Sequence, residues 1–428
     1  MTTLFIICYS LIVSPLIYIV YGIGSLLNTK IKLGLKGRIG GIARLQRFAE
    51  SISSDKKLIF IHSSSVGEWE QSVQIIRQLR QKHDNLVIVA SFFSPSGYNV
   101  VKSEDIDYKF YLPFDDPFHA YFLFKYLKPS VWIISKYDVW PLLLFSAKRN
   151  GIPVILASAE LAEDSTRHKG IMGAVNKLIY SHIDHILTVS DEYAERFGLI
   201  VSDTNKIQVT GDARYDQIFQ KAQNYATQAL QEIFANNFPT MVCGSTWPTD
   251  ESVIMPAIIE QKIAKAECNF IIVPHETNER HISSLQTLLD SKGIRHKRYT
   301  HLATIETLTD EILIVDTVGQ LARLYRLGSF AYIGGSFGSG VHNVLEPAAY
   351  GLPLLFGPRH KNSYEAKQLL KLGAADEIIT VDAARLKIAA HIQNTVLRKQ
   401  KGKLAQQFLA SNLGAAERTV AFINPYLK

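Results

Sequence analysis

Hydrophobic and polar positions divide the chain into three regimes. Residues 2–29 (TTLFIICYSLIVSPLIYIVYGIGSLLNT) are mostly apolar and carry no charge. As one helix they reach about 40 Å, more than the roughly 30 Å of a bilayer's hydrocarbon core. Pro15 and the pair Gly22 and Gly24 would kink such a helix, which keeps open a second geometry lying in the membrane interface. Beyond Glu50 short β-branched runs alternate with amphipathic stretches. Residues 58–64, 85–91, 130–135, 153–158 and 185–190 read as buried strands, and stretches such as 70–83, apolar at i, i+3 and i+4, are long enough for crossover helices. After a polar, helical stretch at 215–236 the rhythm restarts, with strands at 240–246, 269–274, 311–316, 330–336 and 352–357. This is the pattern of an α/β chain with two Rossmann-like, doubly wound domains in series. A cleft then faces the carboxyl ends of the two sheets, where α/β proteins bind ligands. The expected organisation is a membrane anchor over 1–29, a first domain over 30–210 and a second over 211–428.

Composition narrows the class. At 428 residues, 47% hydrophobic and 20% charged, the chain is globular and too long for one ordinary core. Its three cysteines, Cys8, Cys243 and Cys268, lie far apart without a CxxC pair. They form neither a disulfide framework nor a thiolate zinc site, and they fit a reducing compartment. The net charge is +7, and Lys30, Lys32, Lys36, Arg38, Arg44 and Arg47 stand against Glu50 alone in the first 50 residues, which therefore carry +5 of it. The basicity is thus local to the apolar run: it points to an anionic membrane surface and not to nucleic acid. The Lys- and Arg-rich flank stays cytoplasmic, which places the remaining chain in the cytoplasm. A cleaved signal peptide would need a charged leading segment and a small-residue cleavage site, and both are missing.

Two strand-to-helix loops carry candidate chemistry. In 333–357 (IGGSFGSGVHNVLEPAAYGLPLLFG) a strand ends in Gly334-Gly335-Ser336, the loop passes Gly338 and Gly340, and HNVLEP opens a helix. Glycines admit close backbone approach, and free amides at a helix start favour a phosphate. Glu346, one turn inside, can accept hydrogen bonds from ribose hydroxyls; the segment reads equally as a glycine turn with a capping acid. In 61–71 (IHSSSVGEWEQ) Glu68 stands at the start of the next helix. There it can serve as a general base toward the cleft, or close a capping box with Ser65.

Beyond these loops the chain holds an ordered set of short motifs: Ser65-Val66-Gly67-Glu68, Ser94-Pro95-Ser96-Gly97, Tyr111-Leu112-Pro113-Phe114-Asp115, Asp138-Val139-Trp140-Pro141 and Gly211-Asp212-Ala213-Arg214-Tyr215-Asp216. Gly244-Ser245-Thr246, Val273-Pro274-His275 with Glu279-Arg280, Val315-Asp316-Thr317-Val318-Gly319-Gln320-Leu321 and the glycine loop through Pro347 follow. Together they resemble the motifs of Kdo (3-deoxy-D-manno-octulosonic acid) transferases. Members of that family are membrane-anchored bacterial glycosyltransferases of the GT-B fold that add Kdo from CMP-Kdo to the lipid A precursor.

The resemblance implies a site and a setting. Glu68 takes the role of general base, with Asp138 and Arg214 flanking the reacting centre and Arg214 neutralising the Kdo carboxylate or the departing phosphate. The CMP pocket falls on Pro274, His275, Gly319, Gln320, Leu321, Asn343, Val344, Leu345 and Glu346, the helix start at Asn343 holding phosphate and Glu346 holding ribose. CMP is a good leaving group, so neither a metal nor a cofactor is expected, and no DxD-type motif occupies a suitable loop. The implied acceptor is the lipid A precursor, lipid IVA, in lipopolysaccharide core biosynthesis at the cell inner membrane. Four positions depart from the family pattern: Arg214 replaces Lys, His275 replaces Arg, Lys136 replaces an acid and Glu160 replaces Arg. Two other readings stay open: a GT-B transferase or epimerase using a UDP-sugar, and a membrane-tethered nucleotide-binding scaffold without turnover.

Overall fold

A computed structural model describes residues 2–101, 105–162, 165–227, 233–302 and 307–428. Residues 228–232 of the stretch at 215–236 lie outside the described residues. The chain forms two compact units, Met1–Gln217 with Leu413–Lys428, and Ile218–Asn412.

The first unit holds a seven-stranded sheet made of β1 (Lys57–His62), β2 (Leu86–Phe92), β3 (Tyr108–Tyr111), β4 (Val131–Ser135), β5 (Val154–Ala159), β6 (His185–Thr188) and β7 (Ile207–Val209). All pairs are parallel, in the order β3-β2-β1-β4-β5-β6-β7. The central strands are apolar on both faces because helices cover both faces. Phe60, Trp132 and Phe124 fill one side, and Ile59, Ile76 and Ile133 the other. The second unit repeats the plan with β8 (Thr240–Thr246), β9 (Asn269–Pro274), β10 (His296–Arg298), β11 (Ile312–Ile314), β12 (Phe330–Ile333), β13 (Leu354–Phe356) and β14 (Ala375–Glu377). Their order is β10-β11-β9-β8-β12-β13-β14, again all parallel. Both sheets are doubly wound, as expected.

The expected second domain of 211–428 is shortened at both ends. Residues 211–217 and the last sixteen belong to the first unit. Ala416, Val420 and Ile423 of the helix Ala415–Ile423 pack among Ile59, Val73 and Ile76. Asp216 fixes that return by accepting from the amides of Gly414 (2.6 Å) and Ala416 (2.8 Å), and Arg418 Nε donates to the Thr210 carbonyl at 2.9 Å.

The apolar run is one helix, Thr2–Leu27, and among the described residues it is the one helix long and apolar enough to cross a membrane. Pro15 does not end it; a π-helical turn over Tyr9–Val13 sits just before the proline and absorbs the irregularity. The helix is docked along its side on the first unit. Ser14 Oγ donates to the Asp115 carbonyl at 2.5 Å, Tyr18 Oη to Asp116 Oδ2 at 2.7 Å, and Tyr21 packs against Phe93 and Phe114. Of the six bases that follow, five are exposed; Arg38 is not available to a membrane surface. Its guanidinium donates to the carbonyls of Leu112, Gly34 and Phe93 and lies over Phe93 and Phe114, and burial pushes its pKa down to about 10.

Candidate active site

In the first unit the loop between β1 and the helix Val66–Lys82 gathers a polar cluster at the carboxyl edge of the sheet. Ser65 caps the helix, its hydroxyl 3.5 Å from the Glu68 amide, and also donates to Glu68 Oε1 at 3.2 Å. The carboxylate turns back into the loop, where Glu68 Oε2 accepts from the Ser64 amide at 2.6 Å. Capping and a loop-facing carboxylate are therefore two aspects of one geometry. Glu68 is buried, and burial, helped by the nearby Asp138 charge, raises its pKa above the ordinary carboxylate value.

Asp138 enters from the loop after β4. Its Oδ2 accepts from the Ser64 hydroxyl and lies 2.8 Å from His62 Nε2, while His62 Nδ1 meets Ser91 Oγ at 2.8 Å. Burial opposes charge on Asp138, but the hydrogen bonds from His62 and Ser64 outweigh it and hold the pKa below the ordinary value. Ser64 thus bridges two carboxylates whose environments push their proton affinities apart, the arrangement that lets one stay ionised while the other binds a proton more readily. The carboxylate of Asp115, in the aromatic motif upstream, accepts from the amides of Leu142 (3.1 Å) and Leu143 (2.8 Å) and so fixes the helix that follows Asp138.

Arg214 lies in the first turn after β7. Asp212 holds it through its backbone amide (2.8 Å) and Nε (2.6 Å), and Gln71, one turn beyond Glu68 on the same helix, donates to the same Asp212 Oδ2 at 3.3 Å. The structure therefore joins Glu68 and Asp138 through Ser64, and ties Arg214 to the helix of Glu68 through Gln71 and Asp212. Lys136 and Glu160, both departures from the family pattern, form one ion pair at 3.4 Å. The acid and the base have exchanged places, so the two departures offset each other.

In the second unit the edges of β8, β9 and β12 carry a stack of three rings that sequence reasoning resolved only at His275. Its ring lies between Trp247 (centroids 4.6 Å apart) and His342 (4.5 Å), and Trp247 Nε1 donates to His342 Nε2 at 2.9 Å. Burial and the adjacent His275 lower the pKa of His342, in keeping with an unprotonated Nε2 that accepts. Beneath the stack, buried Asp250 organises the glycine loop. It accepts from Tyr332 Oη (2.9 Å) and from the amides of Gly335 (2.8 Å) and Trp247 (2.9 Å). Gly335 sits at φ +90°, and a Cβ on Gly334 would collide with the Ser245 carbonyl, so neither position admits a side chain. Aspartate three residues past a strand-end tryptophan was a legible capping pattern; the pairing of Trp247 with His342 was not, since they stand 95 positions apart in sequence.

Pro274 ends β9, while Gly319 lies in an exposed turn and Gln320 precedes the short helix Leu321–Leu324. The helix expected to open at Asn343 is only Leu345–Ala349, and Asn343 Oδ1 already accepts from its first amide at 3.0 Å. That amide is therefore taken, and a single turn carries a smaller dipole than a long helix. Val344 and Leu345 are buried, so they offer a ligand backbone only. Glu346 lies 3.8 Å from Lys221, beside Tyr350 and Tyr225.

Residues 40–217 match the family model of 3-deoxy-D-manno-octulosonic-acid transferase (kdotransferase). A 3-deoxy-D-manno-octulosonic acid transferase of Haemophilus influenzae is 25% identical over 434 aligned residues, covering all of this chain and 98% of its own. The transferase of Aquifex aeolicus is 27% identical over 78% of this chain and 86% of its own. The chain carries a Kdo transferase domain over residues 40–217 and is similar to Kdo transferases along its length. The chain is a glycosyltransferase, and its fold is GT-B. Solved structures agree on the fold alone: UDP-GlcNAc 2-epimerase of Neisseria meningitidis superimposes with a TM-score of 0.60 at 15% identity, over 87% of this chain and 99% of that one. MurG of Acinetobacter baumannii gives 0.52 at 14%, over 86% and 99%. Among the described residues no group of three or more His, Cys, Asp or Glu side chains is placed to hold a metal ion.

Proposed function

We propose that this glycosyltransferase transfers Kdo from CMP-Kdo to a lipid A precursor, lipid IVA, in lipopolysaccharide core assembly, with its catalytic units on the cytoplasmic side of the inner membrane. The observation that carries the mechanism is the Glu68 carboxylate: buried, raised in pKa and aimed into the loop it shares with Asp138. The acceptor hydroxyl oxygen attacks the anomeric carbon of Kdo as Glu68 takes its proton. The bond from that carbon to the phosphate oxygen breaks, and its electron pair leaves with CMP. Arg214, already oriented by Asp212, supplies a fixed cation for the Kdo carboxylate or the departing phosphate. The donor nucleotide binds the second unit, with the rings of Trp247, His275 and His342 and the turn at Gly319-Gln320-Leu321 as the surfaces offered. CMP departs as a stabilised phosphate ester, so the scheme calls for no metal.

The test is product analysis with CMP-Kdo and lipid IVA, run without and then with EDTA. The expected result is stoichiometric release of CMP with Kdo attached to the lipid; release of UDP from a UDP-sugar, or no turnover, would replace this reading. Retained activity in EDTA supports the metal-free scheme, and its abolition refutes it.

A further inference from the structure

A cavity of about 460 Å³ lies in the first unit between the apolar helix and the catalytic edge of the sheet. Phe5 and Tyr9 form one wall, Val139 and Trp140 a second, and Met172 and Val175 of the helix Gly170–Tyr180 a third. Its lining is mainly apolar, with two informative exceptions. One is Asp138, which the Ser64 bridge joins to Glu68, so the cavity ends at the candidate catalytic cluster. The other is Arg167, whose guanidinium contacts the Tyr137 carbonyl and Tyr180 Oη at 3.4 Å and lies over the Tyr137 ring. Among the described residues no carboxylate pairs with it; its contacts there are the neutral Tyr137 carbonyl, Tyr180 Oη and the Tyr137 ring.

The position of the cavity says where its occupant comes from. The helix that walls it turns a different face outward, with Leu11, Ile12, Leu16 and Ile19 exposed. At the start of the helix Gly170–Tyr180, Ile171 is 84% and Met172 53% exposed, which continues the apolar surface from the cavity to the outside. Apolar walls behind a membrane-compatible helix suit a hydrocarbon chain, and a guanidinium that no carboxylate among the described residues neutralises suits an anionic group on the same molecule.

We propose that this cavity is an acceptor subsite, taking one acyl chain of the anionic acceptor lipid while Arg167 pairs with a phosphate of that lipid. The inference rests on the lipid-acceptor reading above and deepens it. The docked helix thereby acquires a second role. Besides holding the enzyme at the membrane, it completes the wall that sorts acceptors by their acyl chains.

The test uses the full chain in bilayer nanodiscs and has two arms. In the first, wild type is compared with Val175→Phe, which fills the cavity, on an acylated and a deacylated acceptor. Wild type should show at least a ten-fold lower KM for the acylated form, and Val175→Phe should bring that ratio near one with kcat on the deacylated form unchanged. Met172→Phe, at an exposed rim position, serves if Val175→Phe does not fold. The second arm needs no turnover: a terminally brominated dodecyl phosphate should quench Trp140 fluorescence saturably, with Trp140→Phe removing the signal and Val175→Phe raising the midpoint at least ten-fold. Quenching indifferent to Val175→Phe, or produced equally by a brominated bulk phospholipid, overturns the subsite. Absent Kdo transfer to both acceptors by wild type, with quenching intact, overturns the transferase reading while supporting the lipid site.

Discussion

The loops after β1 and after β12 begin alike and end differently. Each runs from a buried strand through small residues to a glutamate in the first turn of a helix. After β1 the helix is 17 residues long, and Glu68 bends back onto its own loop beside a second carboxylate. After β12 the helix is five residues long, Glu346 pairs with Lys221, and the loop is held instead by Asp250 from the helix Pro248–Ile263. A strand–small-loop–acid pattern therefore specifies a place and not a role. The neighbours decide: burial and a like charge raise the proton affinity of Glu68, whereas a cation faces Glu346.

The sharpest way to break this comparison is to remove the proton acceptor without changing its shape. Glu68→Gln should lower kcat by about 10²- to 10⁴-fold while leaving CMP affinity unchanged. The pH profile makes the assignment specific. Because the Glu68 pKa is raised, the fraction of ionised base falls as pH drops through a value above the ordinary 4.3 or so, and the acid limb of kcat should sit there in wild type and vanish from the residual activity of Glu68→Gln. A limb that persists in the variant assigns it to another group.

The second loop should respond to its support more than to its acid. Asp250→Ala strands three donors, Tyr332 Oη and the amides of Gly335 and Trp247, and should cost on the order of 3 kcal/mol in urea unfolding. Asp250→Asn keeps acceptor capacity and should recover part of it. The corresponding loss for Glu68→Gln should be smaller, since the amide oxygen still accepts from Ser64. Equal losses would mean that the two loops are supported in the same way.

What the sequence made legible follows from how many sides of an element are covered. The central strands are apolar on both faces, and their positions were readable. The four strands not foreseen, β3, β7, β10 and β14, are three or four residues long and lie at or next to sheet edges. There half-exposed positions tolerate polar residues, as in His296-Lys297-Arg298 and Ala375-Asp376-Glu377. Glu68 and Asp138 were legible through motif order, and their union through Ser64 required the parallel pairing of β1 with β4. The terminal helix was readable as amphipathic, but its apolar face, Ala416, Val420 and Ile423, carries no mark of which sheet it covers. Docking of the apolar helix was hidden similarly, because Ser14 and Tyr18 look like ordinary passengers in a hydrophobic run until Asp115 and Asp116 are placed beside them.

Glu346→Ala tests whether the acid after β12 has any share in the donor site. A charge-assisted bond to ribose is worth about 1.5 to 3 kcal/mol, so its loss should raise the Kd for CMP roughly 10- to 150-fold in calorimetry. If Glu346 only pairs with the half-exposed Lys221, CMP affinity stays unchanged and stability moves by less than about 1 kcal/mol. The two outcomes separate a ligand contact from a surface ion pair.

The smallest expected effect concerns the exchanged charges beside the first loop. Lys136→Glu places two acids at the site of the 3.4 Å pair, and Glu160→Arg places two bases there. Each single change should cost about 1 kcal/mol of stability, because both side chains are only partly shielded and solvent screens the pair. The double exchange restores opposite charges with the family's polarity and should recover most of that loss, giving a coupling energy of about 2 kcal/mol in a double-mutant cycle. Lys136 also contributes to holding the buried Asp212 carboxylate below its ordinary pKa, behind the larger contribution of Arg214. Reversing its charge therefore tests more than the pair. If the double exchange recovers stability but not kcat, Lys136 acts on catalysis through Asp212 and Arg214; if both recover together, the exchange is a neutral swap of partners across two strand-end loops.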